Sequence, residues 1–465
     1  MTSNKRSSSE AVAVTLLSED NRYKFKTKPY AYQVEALKKL AKLPRGGGLY
    51  MEMGTGKTKV AIDYAGIEKQ LGEIDTVLVV CPLSVLGVWD LEIQKHSNKN
   101  GLKWHIVNYD KIIRDPWQDE VLKITRDNKT LVIFDEAHKI KNPQAKRSKI
   151  AYVLGRLAQR VLLLTGTPIG KSPLDLFSQF RALDDTILGS SWGVFKRTYA
   201  QWGGYGGYQL VRYMNLKQLM VKVGPNVYQI KKQDALDLPA RRHEIVPVTL
   251  ERSRRAYDQM AWERIAEIEE GIVEAPIILT KLLRLSQMTG GWVKDDTGIV
   301  RKVGDEKMKV LTDLVGDMWE SDRLKIVIFC RFLAELKAIC YAVRDIGYSP
   351  IPFYGKTPPK KREQLLARFD ETDEPTAFVA QTATGSLGIS LVAASEAIFY
   401  SHSYDYIEFA QACDRLHRIG QHHPVTYYHL LATDTIDEAV WMAIRTKRNL
   451  ADLVMKHAEL LTKSS

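Results

Sequence analysis

Twice along this chain, short runs of apolar and β-branched residues alternate with stretches of helical periodicity, a pattern that leaves few folds open. The first series lies between about Tyr30 and Leu183 and comprises residues 48–50, 76–81, 105–108, 131–135 and 160–165. The second lies between about Lys307 and Thr446 and comprises residues 325–330, 351–354, 376–380, 396–400 and 425–431. Strands this short and uniformly apolar are buried on both faces, which calls for a parallel sheet covered by helices. Two such series predict two similar α/β lobes, and 465 residues suffice for both, each with its own core.

The segments around the two series have a different character. Residues 1–24 are expected to form a flexible tail: Met1 to Glu10 are polar and Ser-rich, with no apolar core within them after Lys5 and Arg6, and do not read as a signal peptide. The first lobe is placed at 25–240, with a helical insertion at about 188–240 that includes a Gly/Tyr-rich loop at 201–208. Residues 236–242 form a polar connector with Pro239, and 241–304 a hinge and helical protrusion, with helices near 251–270 and 277–288. The second lobe spans 305–446, and 447–465 is expected to be helical. The four cysteines, Cys81, Cys330, Cys340 and Cys413, form no Cys-x-x-Cys pair, which argues against a zinc site or disulfide framework and for buried, reduced thiols in an intracellular protein.

The chemistry begins at residues 49–62, LYMEMGTGKTKVAI, which read as a strand, a Gly-rich turn and a helix. Gly54 and Gly56 let backbone N–H groups around Thr55 face phosphate oxygens, and the helix start adds its positive end. Lys57 can then reach the β and γ phosphates of ATP, and the Thr58 hydroxyl can bind Mg²⁺. The strict phosphate-loop pattern places a further Gly at position 51, where this chain has Met51. Residues 130–138, TLVIFDEAH, form an apolar strand ending in two acids at the carboxyl edge of a parallel sheet, where ligands bind in such folds. Asp135 suits Mg²⁺ and Glu136 the attacking water. Phosphoryl transfer also spreads negative charge over the γ-phosphate oxygens and is accelerated by arginine. Gln411, Arg415 and Arg418, in QACDRLHRIGQ at 411–421, share one face of an expected helix and are the candidates.

Asp135-Glu136-Ala137-His138 resembles the second box of superfamily-two helicases, and LTGTP at 164–168 resembles their third motif, which gives Thr165 and Thr167 a coupling role. Tyr32-Gln33 is similar to the element that reads adenine. Residues 325–332 resemble the fourth motif, QTATGSLGISL at 381–391 the fifth, and 411–421 the sixth. RLHRIGQ at 415–421, DEAHKIKN at 135–142, CPLSVLGVWDLE at 81–92 and Asn108-Tyr109-Asp110 are together similar to the Swi/Snf-type translocases, over most of residues 25–445.

This resemblance implies two tandem RecA-like parallel-sheet lobes, with helical insertions between the third and fourth motifs. It implies ATP and Mg²⁺ as cofactors, Gly385 at the nucleotide, and Ser84, Thr384 and Ser386 at nucleic-acid phosphates. It also implies a DNA-dependent ATPase that translocates on double-stranded DNA in repair, replication or recombination. Forked or single-stranded DNA are further possible tracks. A strand-separating DNA or RNA helicase and an ATP-switched annealing module stay open as alternatives.

A net charge of +12 and a pI near 9.2 favour a polyanionic partner. No stretch approaches a membrane span, so the expectation is an intracellular, DNA-associated monomer. The chain closes soon after the second lobe, which fits a compact translocase of bacterial, archaeal or viral kind better than a large chromatin remodeller. Trp202 and the Tyr-rich loop after it could stack on bases, although such loops are more often only flexible.

Overall fold

A computed structural model of the chain describes residues 23–98, 101–169, 172–204, 209–269, 275–294, 299–387 and 389–446. The tail expected at 1–24, apart from its last two residues, and the helix expected at 447–465 lie outside the described residues. The chain divides into two compact units, 1–237 and 238–465.

The first unit contains β1 (Gly46–Met51), β2 (Thr76–Cys81), β3 (Lys103–Asn108), β4 (Thr130–Asp135), β5 (Arg160–Leu164), β6 (Ala200–Gly203), β7 (Gln209–Tyr213) and β8 (Val227–Ile230). Six of these make one sheet in the order β3-β2-β4-β5-β1-β8, every pairing parallel. Alternate side chains explain why the strands read as unbroken apolar runs. Leu78, Val80, Val132, Phe134, Val161 and Leu163 enter one core. Val77, Val79, Leu131, Ile133, Leu162 and Leu164 enter the other, on the opposite face. Full burial of each such side chain stabilises the fold by roughly 1.5–3 kcal/mol.

The five strands expected from the sequence are all present, within two residues at either end. The segment 188–240 does contain helices, at Trp192–Tyr199 and Leu216–Val223. It also contains the β6–β7 hairpin and β8, which completes the sheet by pairing Gly48 with Val227 through Met51 with Ile230.

The second unit contains β9 (Arg241–Val248), β10 (Trp292–Lys294), β11 (Val300–Lys302), β12 (Lys325–Cys330), β13 (Ser349–Phe353), β14 (Thr376–Gln381), β15 (Glu396–Phe399) and β16 (Val425–Ala432). Its sheet is again six-stranded and parallel, in the order β13-β14-β12-β15-β16-β9. The edge strands are the ones with proline, Pro350 and Pro352 in β13 and Pro247 in β9. Only an edge leaves the missing N–H without cost. β9 falls within the stretch expected to be hinge and helical protrusion, alongside the helices Arg254–Glu269 and Ala275–Thr289.

That protrusion is tied down by a buried ion pair. Asp437 meets the Lys307 ammonium and accepts from the Thr289 hydroxyl at 2.8 Å and the Ala432 N–H at 3.1 Å. Among the described residues no helix is long and apolar enough to cross a membrane. The four cysteines are free thiols, and Cys81, Cys330 and Cys413 are buried.

Candidate nucleotide site

In the first unit, parallel pairing brings the carboxyl ends of β1, β4 and β5 to one edge, and most of the expected site residues follow those ends. After Met51 the chain turns through Glu52–Gly56 into the helix Lys57–Gln70. Gly54 and Gly56 both have φ of 78°, a left-handed conformation that glycine adopts without penalty. A Cβ on Gly56 would stand 2.5 Å from Gln33 Nε2, so the side chain behind the turn also demands glycine. Gln33 Nε2 donates to the Thr55 carbonyl at 3.2 Å, and the Tyr32 hydroxyl donates to the same carbonyl at 2.9 Å. Gln33 is thereby a wall of the turn. The Thr55 hydroxyl donates to the Glu52 carbonyl at 2.7 Å. Lys57 folds back over the turn, its ammonium donating to the carbonyls of Met51 at 2.9 Å and Glu52 at 3.2 Å. Thr58 is half-buried in the first helical turn. The Glu52 carboxylate accepts from the Lys232 N–H at 2.8 Å, which ties the loop to the chain just after β8.

Asp135 ends β4. One carboxylate oxygen accepts from the Trp89 indole N–H and the other from the Glu136 N–H, both at 2.9 Å. The Tyr109 hydroxyl donates to the Asp135 carbonyl at 2.8 Å. Burial pushes the Asp135 carboxyl up to about 6 and Glu136 adds to the rise, while the Trp89 hydrogen bond and the Lys57 charge oppose it. Glu136 has φ 51° and ψ 53°, a left-handed conformation uncommon outside glycine. Strain of this kind collects at functional sites. His138 Nδ1 lies 3.2 Å from the Glu136 carboxylate and 3.5 Å from the Thr165 hydroxyl, which accepts from the Thr167 N–H at 3.1 Å. Gly166 packs against the phosphate loop, since a Cβ there would stand 3.2 Å from the Met53 nitrogen. The first unit therefore gathers Gln33, Gly54, Thr55, Gly56, Lys57, Thr58, Asp135, Glu136, Thr165 and Thr167. Ser84 lies in the short turn Leu83–Val85 just after β2.

In the second unit the helix Tyr406–Leu416 carries Gln411, which is buried, and Arg415. Arg418 lies beyond the helix end, in the turn that follows, so the shared helical face expected of the two arginines does not exist. They converge nonetheless: the guanidiniums donate to the Ile389 carbonyl at 3.4 Å from Arg415 and 3.3 Å from Arg418. The Leu391 N–H donates to the Arg415 carbonyl at 2.9 Å. Gln421 holds the turn by donating to the Ala394 carbonyl at 2.9 Å and accepting from the N–H groups of His422 and His423. The helix packs against the turn Thr382–Leu387, which contains Thr384, Gly385 and Ser386. The Thr384 hydroxyl is turned inward and donates to the Gln381 carbonyl at 2.5 Å.

Four contributors were not assigned roles from sequence. Trp89 and Tyr109 sit in motifs that were recognised, and both hold Asp135. His138, the last letter of its box, connects Glu136 to Thr165. Gln179, fully buried, donates to the Pro168 carbonyl at 2.8 Å and braces the third motif, with no motif of its own to reveal it.

The residues fit a magnesium nucleotide. The glycine-lined turn and Lys57 suit phosphates, and the Thr58 hydroxyl and Asp135 carboxylate are the hard oxygen donors that Mg²⁺ prefers. Among the described residues no group of three or more His, Cys, Asp or Glu is placed to hold a metal ion.

The chain is similar to several known proteins. The sequence is 26% identical over 462 residues to the "SWI/SNF-related matrix-associated actin-dependent regulator of chromatin subfamily A-like protein 1 homolog" of Caenorhabditis elegans, covering 90% of this chain and 60% of that one. It is 26% identical over 431 residues to the bovine (Bos taurus) "DNA annealing helicase and endonuclease ZRANB3", covering 85% of this chain and 38% of that one. It is 28% identical over 444 residues to an "uncharacterized ATP-dependent helicase" of Mycoplasma pneumoniae, covering 90% of this chain and 41% of that one. The chain thus spans 38% to 60% of the length of these relatives. The helicase conserved C-terminal domain matches residues 306–420, within the second unit. The SNF2-related domain matches residues 32–119 and 105–290, more than half of the chain, and on that match the chain belongs to the SNF2-related family.

Proposed function

We propose that this chain hydrolyses ATP and uses the turnover to move along double-stranded DNA without separating its strands. The observation that carries the proposal is the half-buried Asp135, held by Trp89, with Glu136 beside it at the sheet edge that also bears the glycine turn and Lys57.

In this reading the turn 54–58 binds the phosphates with its N–H groups and the helix start. Lys57 leaves the Met51 and Glu52 carbonyls for the β and γ phosphates. Thr58 and Asp135 hold Mg²⁺, whose charge neutralises phosphate oxygens when it is bound. Glu136 orients the attacking water and takes its proton. Its contact with His138, and His138's with Thr165, gives the state of the γ-phosphate a path to the third motif. Arg415 and Arg418 supply positive charge where phosphoryl transfer accumulates negative charge, and Gln411, on the helix that carries Arg415, assists them. Gln33 contributes to the nucleotide pocket, as does Gly385. Ser84, Thr384 and Ser386 approach nucleic-acid phosphates through hydroxyls and backbone amides. For Thr384 this requires release of its bond to Gln381. The net charge of +12 supports a polyanionic track, and the resemblance to duplex translocases supports double-stranded DNA; the proposal places the chain on it inside the cell, as a monomer.

The bovine relative's name, DNA annealing helicase, favours a second reading in which the movement re-pairs strands. ATPase rate against a panel of duplex, forked, single-stranded and RNA ligands, with triplex displacement and strand annealing in parallel, tests both. Duplex-stimulated turnover with triplex displacement and no unwinding is the expected result. Equal stimulation by short single strands would overturn the duplex track. Robust hydrolysis by Lys57→Ala would overturn the site.

A further inference from the structure

The insertion of the first unit has an unusual charge balance. From Thr186 to Gln233 the chain has seven Lys or Arg and no Asp or Glu, although acids otherwise occur about once every eight residues. Of these cations, Arg197, Arg212, Lys217, Lys222 and Lys231 are exposed. The nearest preceding acids are engaged: Asp184 accepts from the Thr186 N–H at 2.9 Å, and Asp185 from the Tyr152 hydroxyl at 2.7 Å. Among the described residues β6 and β7 pair only with each other, so they form a two-stranded ribbon outside the main sheet.

The base beneath the ribbon is packed into the core of the unit. Phe195, Tyr199, Ala200, Leu219 and Val223 are buried in the core of the unit. The Met214 N–H donates to the Tyr199 carbonyl at 2.9 Å and the Asn215 side chain to the Thr198 carbonyl at 2.8 Å. Lys196 lies over the Trp202 ring at 3.8 Å, and Arg212 donates to Gln201 across the ribbon at 2.8 Å.

We infer that this ribbon and the helix Leu216–Val223 form an accessory surface for the phosphate backbone of duplex nucleic acid, separate from the nucleotide site. The inference rests on the proposed duplex track and names an additional surface that holds it. A two-stranded ribbon is one of the two protein elements a major groove admits. Cations displayed on a fixed base, without interspersed acids, are what release of phosphate counterions requires.

The test is the triple variant Arg212→Gln, Lys217→Gln, Lys222→Gln of the full chain, titrated with a duplex of 30 or more base pairs at several salt concentrations. Each phosphate that a side-chain cation neutralises adds about 0.9 to the steepness with which log affinity falls against log salt. Without three such cations, the variant should lose about 40-fold less affinity than wild type between 50 and 200 mM salt, and bind more weakly at the lower salt. ATP turnover without DNA should be unchanged, which also shows that the variant is folded. An unchanged slope, with a wild type that binds duplex, overturns this surface alone and leaves the exposed Val211, Met220 and Val221 as a face for a protein. A wild type that binds no duplex overturns the proposed track as well.

Discussion

The Trp89 indole is the cheapest handle on the acid pair, because one atom of it does the electrostatic work. In Trp89→Phe the ring bulk is largely kept and the hydrogen bond to Asp135 Oδ2 is removed. That bond favours the carboxylate, so its removal raises the Asp135 pKa above its present value of about 6. A hydrogen bond to a charged group is worth about 1.5–3 kcal/mol, which corresponds to about one to two pKa units. The carboxylate would then titrate near 7 to 8, and at pH 7 the ionised fraction would fall about two- to ten-fold. Only the ionised form holds Mg²⁺, so kcat/KM for Mg-ATP at pH 7 should fall by the same factor and recover above pH 9. The assay is kcat/KM from pH 5 to 10, since that parameter reports the free enzyme. Wild type should show an acid limb near 6, and the variant the same limb displaced upward. A loss equal at every pH would mean that Trp89 serves only as packing, and an undisplaced limb would refute the electrostatic argument.

Three further perturbations follow from the same structure. Arg418→Ala should leave nucleotide binding within a few-fold of wild type and lower DNA-stimulated turnover by about 10³-fold or more, as for an arginine that acts on the transferring phosphoryl group; fluorescent-nucleotide titration beside the turnover assay checks this, and a large affinity loss with intact turnover would contradict it. Asp437→Ala leaves the buried Lys307 ammonium without its carboxylate and should cost about 3–5 kcal/mol in urea unfolding; the double variant Lys307→Met, Asp437→Leu should be closer to wild type than the single one, and the reverse order would show that the pair itself supplies the stability. The third concerns a chain of imidazoles in the second unit, His243 Nδ1 to His429 Nε2 at 3.0 Å and His429 Nδ1 to His402 Nε2 at 3.2 Å. Burial holds His402, down to about 3, and His429 below their usual range, and partial desolvation against Tyr427 and His429 lowers His243, on the exposed edge strand β9, to about 4. Unfolded, they take protons near 6.5, so their contribution to stability is present above that pH and lost as pH falls through about 4 towards 3. Stability against pH should slope by up to about 1.4 kcal/mol per unit per histidine in that window, and His402→Leu should flatten it by about one proton; an unchanged slope would remove the histidines as its cause.

What the sequence revealed and what it concealed have physical causes. The eight interior strands, β1, β2, β4, β5, β12, β14, β15 and β16, were legible because burial on both faces forces a continuous apolar run, and the edge strands β3 and β13 register by their partly buried apolar residues. β9 was not, because Arg241, Arg242 and Glu244 face solvent at a sheet edge, where charge is tolerated and Pro247 costs no hydrogen bond. β8 is four residues long and includes Gln229, too short for a period to register. The phosphate loop and the acid pair were legible because their chemistry is local: strand end, turn and helix start are contiguous in sequence. The support around them is not local. Trp89 reaches Asp135 across 46 residues, and only the fold of β2 beside β4 brings them together.

Arg415 and Arg418 show the difference most clearly. A spacing of three suggested one helical face, yet the helix ends at Leu416. The arginines meet because the chain turns at Gly420, with φ 98°, while Gln421 fastens that turn to the carbonyls of Val392, Ala394 and Leu416. The pairing thus depends on a turn held by glutamine rather than on helical periodicity. Gln421→Ala should therefore weaken the arginines' joint hold on Ile389 while both guanidiniums remain, lowering turnover more than a surface glutamine in the same loop could. Restoration by Gln421→Asn, whose amide is shorter by one methylene, should be incomplete. Turnover unchanged in Gln421→Ala would mean that the arginines keep their place without the turn, and the argument from Ile389 would fall.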